Sequence, residues 1–581
     1  MKKRRLTAAL LCAVLAASTV LSGCGGKKTT EGGSTAQAGN EAGKNENGKG
    51  EDGGKPVVYK ELYSGEVATL NYLVSASEAD FKTAAYCIDT LIEYDSEGKI
   101  RPGQATEWEY DEPSKTWTFH LREAKWVDNT GAPVADVTAQ DYVDAIKYQL
   151  TPEYESGIVQ NLFGVIANAK EYYNGLVYNG GADDDGVVWN AIDFSEVGVK
   201  AVDDHTLTYT LETEVPYFLS SLAYIVYMPA YGPQLEELGK TFATDADKMY
   251  YNGSYYMSEF FPQERRIYKK NTLNYDADIV YIDEIQKIYN AEANTIGPEM
   301  IKRGEIDYAE ITADILDDWM SNEDTKNLIS RERPRNSYSY FYCFNFDPQF
   351  DAEYEPDNWR KAVNNENFRK ALSSALNKTK EVAVLEPNVP EDYVIHTITP
   401  AKFTYNADGT DFIDIIVQTG PTDGFLTEIR RNGKYAMLKC NWGADYADPE
   451  TWTDPFYQAK GENGYDPGYK YANLAKAIED GTPSADAVLE YFTTIEEAKD
   501  IKVDINARYE AFAKAEAALI NHALVVPFSI SVSKYLATKI NVFEGQYAPF
   551  GVSNLKYKGQ HLQDHYISME EFEANKEKAG Q

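Results

Sequence analysis

From about Val57 onward, short runs of alternating polarity take turns with stretches of helical period, and no fixed repeat is visible. Lys115–Leu121 (KTWTFHL) sets Trp117, Phe119 and Leu121 on one face and Thr116, Thr118 and His120 on the other. His205–Leu211 (HTLTYTL) does the same with Leu207, Tyr209 and Leu211. A period of two predicts strands with one buried face. Between them, Thr138-Ala139-Gln140-Asp141 predicts a capping box opening a helix with Tyr142, Val143, Ile146 and Leu150 on its apolar stripe. Phe368, Leu372, Ala375 and Leu376 mark a second amphipathic helix; Tyr509, Phe512, Ala513, Leu519 and Ile520 mark a third. The third leads into Ala523–Ser531 (ALVVPFSIS), a buried strand whose proline places it near a sheet edge. This mixed order predicts α/β or α+β architecture with more than one sheet.

The N-terminus follows other rules. Lys2, Lys3, Arg4 and Arg5 precede an apolar run from Leu6 to Leu21, too short for a comfortable membrane span, which reads as a signal peptide over 1–23. The run closes on Leu21-Ser22-Gly23-Cys24, which resembles the lipobox of bacterial lipoproteins. That resemblance implies acylation of Cys24, cleavage before it, and attachment to membrane lipid, two or three acyl chains giving a stable anchor. Residues 25–55 hold ten Gly and no aromatic or large aliphatic side chain. Such a stretch cannot offset chain entropy, so 24–56 is expected to be a disordered tether spanning roughly 30 Å. Gly43–Gly50 comes within one residue of a phosphate-binding loop, but it lacks the Ser or Thr that binds Mg²⁺ and no strand precedes it.

Composition narrows the function. The chain has 581 residues and a net charge of −36, and the leader carries four of its basic residues, so the mature chain stands near 52 − 92 = −40. Such a field repels phosphate backbones, which sets nucleic acid aside as a partner. Length alone predicts three or four domains, or one large α/β body with insertions, at roughly 150 residues per domain. Five Cys make no disulfide framework and six His leave little for metal chemistry. Aromatics reach 13%, 44 of them Tyr, suited to wet recognition surfaces and equally to half-buried packing.

The order of several motifs carries a family resemblance. Ile100–Trp108 (IRPGQATEW), Trp117–Arg122, Lys125-Trp126 and Thr138–Asp141 follow one another at short spacing. Gly198–Leu207, Val215-Pro216-Tyr217-Phe218, Tyr251–Tyr255 (YNGSY), Arg303–Tyr308 (RGEIDY), Asn367–Leu372 and Trp442–Pro449 (WGADYADP) come after them. Together they resemble family 5 solute-binding proteins, the oligopeptide and dipeptide receptors of ABC importers, over about residues 65–540. The resemblance implies a two-lobed class II periplasmic-binding-protein clamshell with an extra small domain inserted in the first lobe. Its pieces would be 57–92, 229–335 and 535–581 for lobe one, 93–228 for the insert and 336–534 for lobe two. It further implies a monomer without cofactor or catalysis, held at the outer face of the cell membrane, that delivers peptide to permease subunits. Two departures stand out. Only 442 − 377 = 65 residues separate Asn377 from Trp442, which predicts a trimmed second lobe or an altered pocket wall. Asn129–Val134 also replaces a more compact hairpin turn.

The resemblance places Asp445 as the partner of a peptide's α-amino group, with Trp442 and Tyr446 lining the same cleft and Asn252, Gly253 and Tyr255 as weaker binding candidates. A plain Asp/Pro turn is the bland alternative for 444–449, and scaffold packing for the rest. Cys343 and Cys440 are either a disulfide or two buried thiols. His561 and His565 have metal-holding spacing on a helix, but a solvated face fits better since no further ligand is evident. Asp183–Asp185 lacks the alternating ligands of a calcium loop. Other solutes of the family (oligosaccharide, nickel complex, haem) remain open. A secreted glycoside hydrolase would need two placed carboxylates; HExxH, GxSxG and CxxC are all absent.

Overall fold

The structure, a computed structural model, describes residues 55–580 apart from 184–185, 335–337, 401–432, 434, 462–463, 467, 549 and 553–555. The leader, Cys24, the tether and much of the short 377–442 stretch lie outside the described residues. Pro56–Gln581 forms one compact unit.

Three main sheets organise it. A seven-stranded mixed sheet runs in the order Tyr255–Phe261, Arg265–Lys270, Glu284–Tyr289, Val58–Tyr63, Tyr308–Ile311, Tyr535–Thr538, Ser330–Arg331. A four-stranded antiparallel sheet contains Ala105–Asp111, Thr116–Leu121, Thr206–Thr210 and Val199–Asp203 in that order. The two period-two runs are its central pair, with Phe119 opposite Leu207 and Trp117 opposite Tyr209. A three-stranded sheet sets Tyr338–Phe344 between Met437–Gly443 and Val525–Ile530. Pro527 lies on its edge strand beside a register shift, where the missing N–H costs no ladder bond.

The chain passes between the seven- and three-stranded sheets twice, after Arg331 and after Ile530. The strands at these crossings are neighbours in both sheets: Ser330 and Arg331 pair with Leu536 and Tyr535, and Tyr338–Phe344 pairs with Val525–Ile530. Two crossings side by side make a hinge geometry.

Local signals act where the sequence puts them. The helix Ala139–Gln149 opens on a capping box in which the Thr138 N–H donates to Asp141 at 2.8 Å. The helix Ala293–Lys302 ends through Gly304 at φ +68°, the left-handed residue that brings the Glu305 N–H onto the Met300 carbonyl at 3.0 Å. Asn129–Val134 is a hairpin turn in which the Asp128 carboxylate accepts from the Thr130 and Ala132 N–H groups at 2.8 and 3.0 Å. Among the described residues no helix is long and apolar enough to cross a membrane.

Candidate functional site

The strand Met437–Gly443 delivers the chemistry. It ends where a Cβ on Gly443 would lie 2.5 Å from the Tyr338 ring, so the chain turns away closely only with glycine. The following loop leads into the short helix Glu450–Thr453. The Thr451 hydroxyl accepts from the Asp445 N–H at 3.3 Å and from Trp442 Nε1 at 3.4 Å, fixing both residues to that helix. Asp448 accepts from the Glu450 N–H at 3.0 Å and takes both arms of fully buried Arg508 at 2.9 Å each. Lys499 pairs with Glu450 at 3.2 Å and with Asp454 at 2.7 Å.

The facing wall is built from residues 160–227. Tyr217 stands before the helix Phe218–Ser221, and its ring stacks on Tyr446 with centroids 3.7 Å apart and planes 8° from parallel. The Tyr446 hydroxyl donates to Asp454 at 3.2 Å, and the Ala447 N–H donates to the Ser220 hydroxyl at 3.3 Å. Tyr224 lines the same cavity as Asp445.

Between these walls lies a cavity of about 350 Å³, lined chiefly by Tyr217, Tyr224, Trp442, Asp445, Tyr446 and Tyr469. Its charged lining is Glu214, Asp445, Glu450 and Asp454 against Lys499 and Lys502, four carboxylates to two ammonium groups. Burial, together with the nearby Asp454 charge, pushes the Asp445 carboxyl up to about 7, against a smaller opposing influence of the Tyr224 hydroxyl. Burial also raises Asp454, which Lys499 pulls back and Glu450 pushes further. Desolvation at the cavity wall raises the hydroxyls of half-buried Tyr217, Tyr224 and Tyr446 well above their usual range, so they stay neutral. Asp445 makes no ion pair among the described residues. An acid without a cation in an aromatic box has the chemistry to hold an ammonium group, through charged hydrogen bonds and the ring faces.

The structure brings Trp442, Asp445 and Tyr446 together and leaves Asn252, Gly253 and Tyr255 outside the cavity lining. Asn252 is 1% exposed; its side chain accepts from the Asp89 N–H at 3.0 Å. A Cβ on Gly253 would lie 2.5 Å from the Cys87 carbonyl carbon, so the glycine admits a close backbone approach. Tyr255 is fully buried and donates to the Ile282 carbonyl at 3.1 Å. Asn252 and Gly253 thus tie the entry of the seven-stranded sheet to the segment 87–89, and Tyr255 braces it against Ile282. Cys343 and Cys440 are thiols on neighbouring strands, opposite Leu438 and Phe341 respectively, with no disulfide between them. His561 and His565 lie before the last helix, Met569–Lys578, rather than on a helix, and engage Glu544, Asp564 and Glu571 at the surface.

Sequence reasoning missed Tyr224, Asp454 and Lys499, and quoted Tyr217 only as part of a motif. No periodicity marked the tyrosines: Tyr217 stands just before the helix Phe218–Ser221 and Tyr224 lies beyond it in extended backbone.

Comparison with known proteins finds relatives along most of the chain. An oligopeptide-binding protein of Streptococcus pneumoniae, AliB, is 26% identical over 631 residues, covering 90% of this chain and 92% of its own. SarA of Streptococcus gordonii, another oligopeptide-binding protein, is 24% identical over 638 residues, at 90% and 91% coverage. The substrate-binding domain of an oligopeptide ABC transporter from Bacillus anthracis superposes with a TM-score of 0.64 at 19% identity, over 88% of this chain and 100% of that one. Listeria monocytogenes OppA bound to peptide gives 0.63 at 19%, over 88% and 99%. The fold is thus the two-lobed class II clamshell. Residues 99–412 match the middle region of the bacterial extracellular solute-binding proteins, family 5, and the chain belongs to that family.

Proposed function

We propose that this protein is a lipid-anchored extracytoplasmic receptor that captures peptides and hands them to the permease subunits of an ABC importer. The observation that carries the reading is Asp445, a carboxylate without a cation, set in an aromatic cavity between two walls. A peptide's free amino terminus supplies the missing charge. Oligopeptide-binding relatives aligned over nine-tenths of the chain support the same class of ligand.

Each main sheet draws its strands from one group of segments. That supports lobe one as 57–92, 229–335 and 535–581, an insert at 93–228, and lobe two as 336–534. The cavity then lies between the insert and lobe two. A ligand touching both favours the closed state over the open one by its differential contacts. The protein works as a monomer and binds rather than transforms its ligand. Acylation of Cys24 holds it to the membrane through the segment that follows.

Calorimetry with trialanine and N-acetyl-trialanine on wild type and Asp445→Asn tests the site. Removing one partner of a buried charged pair costs about 2–5 kcal/mol, some 30-fold or more in affinity. Trialanine loses that much in the variant. The acetylated peptide binds wild type poorly and loses little further; equal losses for both peptides sink the assignment. The anchor is tested separately: Cys24→Ala abolishes partition into detergent with the membrane fraction, and wild-type fractionation of that variant refutes the lipobox.

A further inference from the structure

Arg508 is fully buried, and every N–H of its guanidinium fork meets an acceptor. Nε and Nη2 donate to the two oxygens of Asp448 at 2.9 Å each, and Nη2 gives its second hydrogen to Glu450. Nη1 donates to the Ala498 and Ile501 carbonyls at 3.2 and 3.1 Å. We propose that Arg508 is the positioning residue of the ammonium site: its guanidinium locks the loop Trp442–Pro449 and the helix Glu450–Thr453 to the end of the helix Ala485–Lys499, so that Asp445 is held in place before a ligand arrives. This rests on the reading of Asp445 as the ammonium partner.

The path from Arg508 to Asp445 is short and continuous. Asp448 accepts from the Glu450 N–H with its side chain at 3.0 Å and from the Thr451 N–H with its carbonyl at 3.2 Å. Thr451, 1% exposed, then takes the Asp445 N–H and Trp442 Nε1 on its hydroxyl oxygen. On the far side, the Ala498 and Ile501 carbonyls flank Lys499, whose ammonium reaches Glu450 and Asp454. One turn of chain, gripped by Arg508, thus brings a second cation to the same acids. Arg508 and Lys499 together answer Asp448, Glu450 and Asp454. Asp445 is left without an ion pair among the described residues, fixed in position by acids that are already satisfied.

The arrangement needs arginine. Lysine brings the same charge on a single nitrogen, which cannot span two carboxylates and two carbonyls. The side chain starts from the first turn of the helix Ile505–Asn521, which the Asp504 carboxylate caps by accepting from the Ala507 N–H at 3.0 Å. One turn further on, the Phe512 ring centre lies 4.8 Å from the guanidinium. Arg369 shows the other use of such a residue. It is equally buried, yet it donates to the Val363, His522 and Ala523 carbonyls at 2.6, 2.8 and 3.0 Å and to the Ser484 hydroxyl at 2.9 Å. None of these residues lines the cavity. One arginine fastens backbone to backbone, and the other holds the carboxylates beside the site.

Calorimetry on the mature chain compares trialanine with N-acetyl-trialanine in wild type, Arg508→Lys, Thr451→Val and Arg369→Lys. Wild type prefers trialanine by some 30-fold or more, the scale of a buried charged pair. In Arg508→Lys that preference drops about tenfold, the order of one charged hydrogen bond lost to misplacement, while N-acetyl-trialanine binds as before. Thr451→Val deletes the shared acceptor with little change of volume and lowers the preference by less. Arg369→Lys lowers the melting temperature and keeps the preference, which separates lost stability from lost placement. If Arg508→Lys fails to fold, Thr451→Val decides. An unchanged preference in folded Arg508→Lys or in Thr451→Val, or one that falls as far in Arg369→Lys as in Arg508→Lys, overturns the positioning role. If wild type shows no preference, or Asp445→Asn keeps it, the ammonium reading itself falls instead.

Discussion

Two buried clusters of carboxylates differ in one respect, and the difference separates scaffold from site. Under the seven-stranded sheet, Asp89, Glu93 and Asp276 meet Lys556, Lys558 and Arg101, three acids to three cations. Lys556 lies 2.6 Å from Asp89 and Lys558 lies 3.0 Å from Glu93. Burial pushes Glu93 up, but Lys556, Lys558 and Arg101 outweigh it and hold the carboxyl well below its usual range. Around the cavity, Asp448, Glu450 and Asp454 pair with Lys499 and Arg508, while Asp445 has no ion pair among the described residues, and Glu214 and Lys502 complete the charged lining. There the surplus falls on Asp445, and burial wins. A matched cluster has every charge answered from within the chain. A cluster short of cations has a place for one from outside, which is what a capture site needs.

The largest effect should come from unbalancing the matched cluster. Glu93→Gln keeps the shape but leaves Lys556 and Lys558 buried beside fewer negative charges. Breaking a buried pair from one side costs about 3–5 kcal/mol, and chemical denaturation should show a loss of that order. Trialanine affinity of the folded fraction stays at the wild-type level. A loss under about 1 kcal/mol, near what a surface ion pair is worth, would mean that the network is not answered in the way its distances imply.

Local structure was legible because the physics that makes it is local. The alternating faces of Lys115–Leu121, the capping box at Thr138 and the left-handed Gly304 each depend on neighbours within a few residues. The loop Trp442–Pro449 was legible by resemblance alone. The opposite wall was not, since nothing in Val215–Phe218 announces that Tyr217 will stack on a residue 229 positions away. Asn252-Gly253 shows the converse difficulty. The resemblance offers Gly253 as a binding candidate, and the structure packs the Cys87 backbone against it. A requirement for glycine reports crowding without naming its source.

A smaller and sharper effect follows from titrating the two clusters. Asp445 has a folded-state pKa raised to about 7, so in the ligand-free chain it favours folding below the ordinary carboxylate range. That contribution is lost as pH rises to about 7. Glu93 is depressed, so its contribution is present above the ordinary range and is lost only in acid. Peptide binding inverts the cost at Asp445, because an ammonium beside the carboxylate lowers its pKa and the complex forms with release of a proton. Trialanine affinity should therefore fall below pH 7, by up to tenfold per unit, or about 30-fold at pH 5.5. It should fall again above about 8, where the peptide's own amino group loses its charge. Glu516, also pushed to about 7 by burial, accepts from the Ile398 and Thr399 backbone N–H groups and lies outside the cavity lining. Asp445→Asn removes the acid limb and keeps any contribution from Glu516, so comparing the two profiles isolates the site. Calorimetry in two buffers of different ionisation enthalpy counts the released proton directly. A profile flat from pH 5.5 to 7.5, with no proton released, would place Asp445 among the answered charges and erase the contrast between the clusters.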